Sequence, residues 1–277
     1  MVLTSLASFS KNRYDCRKVK GIGMKEVDIL TLPVLPVPAL LVPALLVLAL
    51  LMQGCASQNY TAEGVRYYGQ ARYDAAMTAF QSALQTKPND ANALYNVAAT
   101  CHQSAKASLL SGQAATAQQQ YNQAAQYYRL CLDQNPNHAD AYRGLAALNM
   151  DCQNADAAFQ LLINWYNANS AAVEPKLELA RLYQEYAQIC MIQGRTEVAQ
   201  DCRHATEQLL QQVLSAEPAN YRALRAWGYL KERSGDTNGA ILEYQRSLQA
   251  NPQQKDLESH LTALRAAPQA APQTAPQ

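Results

Sequence analysis

The stretch SGDTNGAILEYQRSLQANP, Ser234 to Pro252, decides the fold. Its Gly235-Asp236 pair makes a turn, Ala240 and Tyr244 follow one helical turn apart on a single face, and Pro252 closes the unit because proline has no backbone N–H to continue a helix. Gln70 to Pro88, QARYDAAMTAFQSALQTKP, shows the same pattern with Ala76, Phe80, Ala83 and Pro88 in register. Two copies of one spaced pattern indicate an internal repeat, and the repeat governs how the rest of the chain is divided.

Filling the interval gives five units at 57–90, 91–138, 139–172, 173–220 and 221–254, of 34, 48, 34, 48 and 34 residues. The eighth position is small in every unit (Gly64, Ala98, Ala146, Ala180, Gly228), as two closely crossing helices require. The closing position is Pro88, Pro136, Ser170, Pro218 and Pro252. The quoted stretch resembles the second half of a tetratricopeptide repeat. That resemblance implies an all-α, right-handed α-solenoid of five helical hairpins.

The two 48-residue units align with each other without a gap: Ala98 with Ala180, Gly112 with Gly194, Ala117 with Ala199, Pro136 with Pro218. Their turn glycine lies seven residues later than in the short units and the second arm is seven longer too. Seven residues are close to two helical turns, so the buried stripe keeps its face to within ~20°. Each long hairpin is expected to stand about 10 Å beyond its neighbours as a rib. The 48-plus-34 pattern of residues 91–172 recurs in 173–254, which suggests duplication of a long-short pair. After residue 254, KDLESHLTALRAA (255–267) places Leu257, Leu261 and Leu264 on one face, the capping helix that an open solenoid end needs. PQAAPQTAPQ (268–277) lacks the apolar residues to bury a core and reads as a disordered tail.

Ahead of the repeats, residues 29–52 carry no charge over 24 positions, and Lys11, Arg13, Arg17, Lys18, Lys20 and Lys25 lie before them. That order suits a signal peptide or membrane anchor, with Met24 as the expected true start. Pro33, Pro36, Pro38 and Pro43 interrupt the first half of the run and argue against a stable spanning helix. Gly54-Cys55, after Leu50 and Leu51, resembles the lipobox of bacterial lipoproteins. The resemblance implies that residues 1–54 are a leader, that Cys55 is lipidated, and that Ala56 directs sorting to the outer membrane with the solenoid facing the periplasm. The alternative is an uncleaved amino-terminal helix that ends in cysteine.

Composition narrows the function. Of 277 residues 49% are hydrophobic and 16% charged, and from Ala56 onward 17 basic residues face 19 acidic ones. No strong field points to nucleic acid. The chain has no GxSxG, GxxxxGK[ST], HExxH or CxxC pattern, and His102, His138, His204 and His260 fall at non-matching repeat positions, so no enzyme, cofactor, metal site or small-molecule substrate is expected. Cys190 and Cys202 flank the Gly194 turn on opposite arms and are candidates for a disulfide, set against the alternative of small buried residues.

By resemblance to the family, the concave face is lined from the first helix of each unit, which nominates Tyr95, His102, Arg143, Arg181, Arg222, Arg225 and Tyr229 for partner binding. Arg181, Arg222 and Arg225 are expected to meet an acidic or carboxylate-ended segment, or to stand as a solvated helix face. The resemblance to repeat-bearing lipoproteins implies a scaffold or assembly factor for other proteins or peptides in the cell envelope. An adaptor that recruits a cell-wall enzyme is the second expectation.

Overall fold

A computed structural model describes residues 59–266. The leader with Cys55, the apolar run 29–52 and the tail 268–277 lie outside them. Among the described residues all regular structure is helical. Helix α1 spans 59–69. It is followed by α2 (Tyr73–Thr86), α3 (Ala91–Leu110), α4 (Ala114–Gln134), α5 (Ala139–Asp151), α6 (Ala155–Ala168), α7 (Val173–Ile192), α8 (Thr196–Ala216), α9 (Tyr221–Arg233), α10 (Thr237–Ala250) and α11 (Lys255–Ala266). Consecutive helices pack as five hairpins, and α11 closes the array against α10. The expected fold class, five helical hairpins and a capping helix, is present.

The inserted heptads can be located. Helices α5 and α9 have 13 residues while α3 and α7 have 20, and α2, α6 and α10 have 14 while α4 and α8 have 21. Counted back eight places from the closing residue, each unit has a large buried side chain: Phe80, Tyr128, Leu162, Leu210 and Tyr244. The base of every hairpin therefore keeps one frame, and the added turns stand at the tips, about 10 Å past the short units. There the apolar ends of the first arms reach solvent, with Leu110 91% and Ile192 87% exposed.

One turn geometry joins the arms of all five hairpins. Ala71, Gly112, Gln153, Gly194 and Gly235 hold positive φ of 55, 76, 59, 74 and 86°. The next residue in each donates its N–H five residues back, Arg72 to Tyr67, Gln113 to Ser108, Asn154 to Asn149, Arg195 to Cys190 and Asp236 to Lys231, at 2.8–3.0 Å. This is the Schellman ending of a helix, which returns an otherwise orphaned carbonyl to use. Three units place glycine there; alanine and glutamine hold the same backbone in the other two.

At the base, side chains cap the next first helix. The Asp90 carboxylate accepts from the N–H groups of Asn92 and Ala93, and the Asn220 side chain accepts from Ala223 N–H. His138 Nδ1 accepts from Ala141 N–H. The third base turn has Ser170 and Ala172 where the others have proline and a capping group. Lys176, nearly buried, compensates by donating its Nζ to the carbonyls of Ser170 and Ala172.

Close approach explains the small eighth position. A Cβ on Gly64 would lie 2.4 Å from the Phe80 ring, and one on Gly228 would lie 2.6 Å from Tyr244. Both rings are fully buried, and burying such a side chain contributes about 1.5–3 kcal/mol. Each glycine lets one helix press its backbone onto the aromatic ring of the next.

Candidate partner-binding groove

The first helices of hairpins two to five share one face, and ion pairs cross every junction along it. His102 Nε2 of α3 lies 2.9 Å from Asp151 Oδ2 of α5, with Lys106 Nζ 3.1 Å from the same oxygen. Arg143 of α5 reaches Glu178 of α7 through two nitrogens and also holds Asp140 at 2.6 Å. Arg222 of α9 reaches back to Glu178 and to Glu174, the latter at 2.6 Å, while Arg225 holds Asp256 of α11 at 2.5 Å. Arg181 completes the set with Glu178 at 3.1 Å and Glu185 at 2.5 Å.

Glu178 is the centre of this ladder and is wholly buried. Burial alone would push its carboxyl up, but the hydrogen bonds from Arg143 and the charges of Arg143, Arg181 and Arg222 hold it below its ordinary value. Asp151 is lowered as well, first by its bond to His102 and then by Lys106, against the opposing effect of burial. Both carboxylates are therefore ionised and engaged at neutral pH.

Two cavities open along the same face. The larger, of about 620 Å³, is lined by Leu177, Arg181, Gln184, Tyr221, Arg225 and Tyr229 among others. The smaller, of about 400 Å³, is lined by Tyr68, Tyr95, His102, Lys106, Arg143 and Asp151 among others. Arg181 and Glu185 border both, so the two adjoin as one groove.

The seven residues nominated for the concave face all line these cavities, in two groups. Tyr95, His102 and Arg143 stand in the smaller, Arg222, Arg225 and Tyr229 in the larger, and Arg181 between them. Their availability differs from the expectation. The His102 ring is buried, and Tyr95 stacks on the His138 ring with centroids 5.2 Å apart. Tyr229 Oη accepts from Gln188 Nε2 at 2.5 Å. Arg143, Arg181 and Arg222 do converge on a carboxylate, but it is the chain's own Glu178.

Sequence reasoning missed Glu178. Its position is the sixth of its unit, occupied by Ala62, Asn96, Gly144 and Ala226 in the others. The available signal was a single acid set among Leu177, Leu179 and Ala180, three residues before Arg181.

Cys101, Cys131, Cys190 and Cys202 are buried free thiols, and the candidate Cys190–Cys202 bridge is not formed in the structure. Burial pushes the Cys101 thiol up to about 11 and that of Cys131 up to about 12, which keeps both protonated at neutral pH. Cys152 alone of the described cysteines is exposed. Among the described residues no cluster of His, Cys, Asp and Glu could hold a metal ion, and no helix is long and apolar enough to cross a membrane.

Residues 105–138 match the tetratricopeptide repeat family, over the tip of the first rib, its second arm and the base turn that follows. No curated protein matches the chain. Among solved structures, TTC0263, a thermophilic tetratricopeptide-repeat protein of Thermus thermophilus, is 22% identical with a TM-score of 0.52, covering 76% of this chain and 100% of that one. YrrB, a tetratricopeptide-repeat protein with an unusual peptide-binding site, is 13% identical with a TM-score of 0.37, covering 74% and 90%. The likeness to TTC0263 shows a shared fold: the described chain is a solenoid of tetratricopeptide-type hairpins, two of them lengthened.

Proposed function

We propose that the protein is a membrane-tethered scaffold or assembly factor that binds other proteins in a bacterial cell envelope. The observation that carries the binding role is the continuous groove on the first-helix face, two adjoining cavities whose walls are braced by ion pairs at each junction. Braced walls lose little conformational freedom when a segment settles between them, so they favour binding by pre-organisation. In this reading the groove binds and does not catalyse.

The tether is supported by the uncharged run 29–52 and by Gly54-Cys55. Cys55 lies four residues before the first residue of α1, so a lipid there would hold the base of the first hairpin at the membrane surface. The ribs point the opposite way along their hairpins and would stand clear of that surface.

Two measurements test the two parts. Cys55→Ser should release the protein from membranes on fractionation, and unchanged attachment would replace the lipid anchor by a spanning helix. Affinity capture from solubilised envelope should retain specific proteins that Gln184→Ala combined with Tyr229→Ala loses. Retention of every partner by that double variant would move binding away from the groove.

A further inference from the structure

The larger cavity is bordered by cations that are already engaged. Arg181 is held by Glu178 and Glu185, Arg222 by Glu174 and Glu178, and Arg225 by Asp256. Of these groups Arg181, Arg222, Arg225, Glu185 and Asp256 line the cavity itself. An incoming carboxylate would meet no free cation, because each arginine is already held by a carboxylate, so an acidic or carboxylate-ended segment finds no open complement there.

The groups left over are neutral. Gln184, Gln253 and Tyr221 line the cavity with no side-chain partner among the described residues. Each amide side chain offers both a donor and an acceptor, the complement that an extended backbone presents at every residue. The rings of Tyr221 and Tyr229 add flat faces of the type on which proline-rich segments settle.

We propose that the larger cavity binds an uncharged, extended polypeptide segment rich in proline and amide side chains. Gln184 and Gln253 bond its backbone, and Tyr221 and Tyr229 pack on its proline rings. This rests on the groove being the partner-binding face. Residues 268–277 of this chain, PQAAPQTAPQ, have that composition and supply a ready probe.

The full chain, solubilised in mild detergent, is titrated against three fluorescein-labelled peptides read by anisotropy: PQAAPQTAPQ, its acidic counterpart PEAAPETAPE and its basic counterpart PKAAPKTAPK. The neutral peptide should bind at least about tenfold more tightly than either charged one, a difference of about 1.4 kcal/mol. Gln184→Ala with Tyr221→Ala should weaken it by a similar factor while the circular dichroism spectrum stays unchanged. Tighter binding of the acidic peptide would overturn the proposal and make the arginines the readers, and tighter binding of the basic one would overturn it by assigning that role to Glu185 and Asp256. Failure of all three overturns it as well. In that case an envelope partner that is still lost from the groove variant in affinity capture leaves the binding role standing with a different ligand.

Discussion

Arg143 of the third hairpin grips Glu178 of the fourth at two points, Nε to Oε2 at 2.8 Å and Nη2 to Oε1 at 2.5 Å, although Glu178 has no exposed surface. Arg222 of the fifth hairpin reaches the same carboxylate, so one buried acid ties three successive hairpins together. Removing it leaves three half-buried guanidinium groups facing one another. Glu178→Gln should therefore cost about 3 kcal/mol, at the lower end for breaking a buried pair because the arginines keep some contact with water. Urea denaturation followed by circular dichroism measures it. A change below about 0.5 kcal/mol would mean that the arginines are held by their outer partners alone.

The same groups set the response to acid. Glu178 and Asp151 titrate below their ordinary values of 4.5 and 3.8 in the folded chain. A carboxyl depressed by folding stabilises the fold above its unfolded value, and that contribution is lost as pH falls through the folded one. The melting temperature should stay level from about pH 8 to 5 and fall below about pH 4.5. The Glu178→Gln variant should show a shallower fall, because it has already lost one of the depressed carboxyls. An equal slope in both proteins would place the acid-sensitive contacts elsewhere.

The turn residues offer a test that adds stability. Gln153 holds φ 59° where Gly112, Gly194 and Gly235 hold 74–86° in the equivalent turns. A side chain in this left-handed region costs roughly 1–2 kcal/mol, which glycine avoids at the expense of a more flexible unfolded chain. Gln153→Gly should raise stability by up to about 1 kcal/mol, and Gly194→Ala should lower it by a similar amount. Thermal melts of the two single variants check the opposite signs.

The hairpins were legible because their signals are local and repeated: a turn pair, small residues at the eighth position, and proline at the close. The seven-residue difference between units was legible for the same reason, since insertions of two near-whole turns leave those signals in frame. The groove was legible only as a list of positions. Whether Arg181 and Arg222 are free depends on Glu178, whose burial is tolerable only when arginines from neighbouring hairpins arrive around it, a relation between residues 35 and 44 positions apart. His102 was placed on the groove by its position, but its burial follows from Tyr121 and Tyr128 of α4 packing edge-on against its ring. The third base turn likewise hid its substitute, because the Lys176 ammonium that holds the Ser170 and Ala172 carbonyls comes from six and four residues further along the chain.

The ribs themselves can be shortened. Deleting residues 104–110 together with 114–120 removes one heptad from each arm at the tip of the first rib. It takes out Ser108 and Gln120, which bond to each other at 2.8 Å, and the solvent-facing Leu110. It leaves the Ser111-Gly112-Gln113 turn and puts Tyr128 eighth in the second arm, where Phe80 and Tyr244 stand in theirs. The buried losses are Ala105 and Ala117, so the array should keep its helicity and a single cooperative unfolding transition. Deleting only five residues per arm, 106–110 with 114–118, is the control. Five residues rotate the face by ~140° at 3.6 residues per turn and would aim the buried stripe at solvent. Circular dichroism should show the seven-residue deletion folded and the five-residue deletion impaired; equal loss in both would mean that the tips, rather than the base, hold the hairpin together.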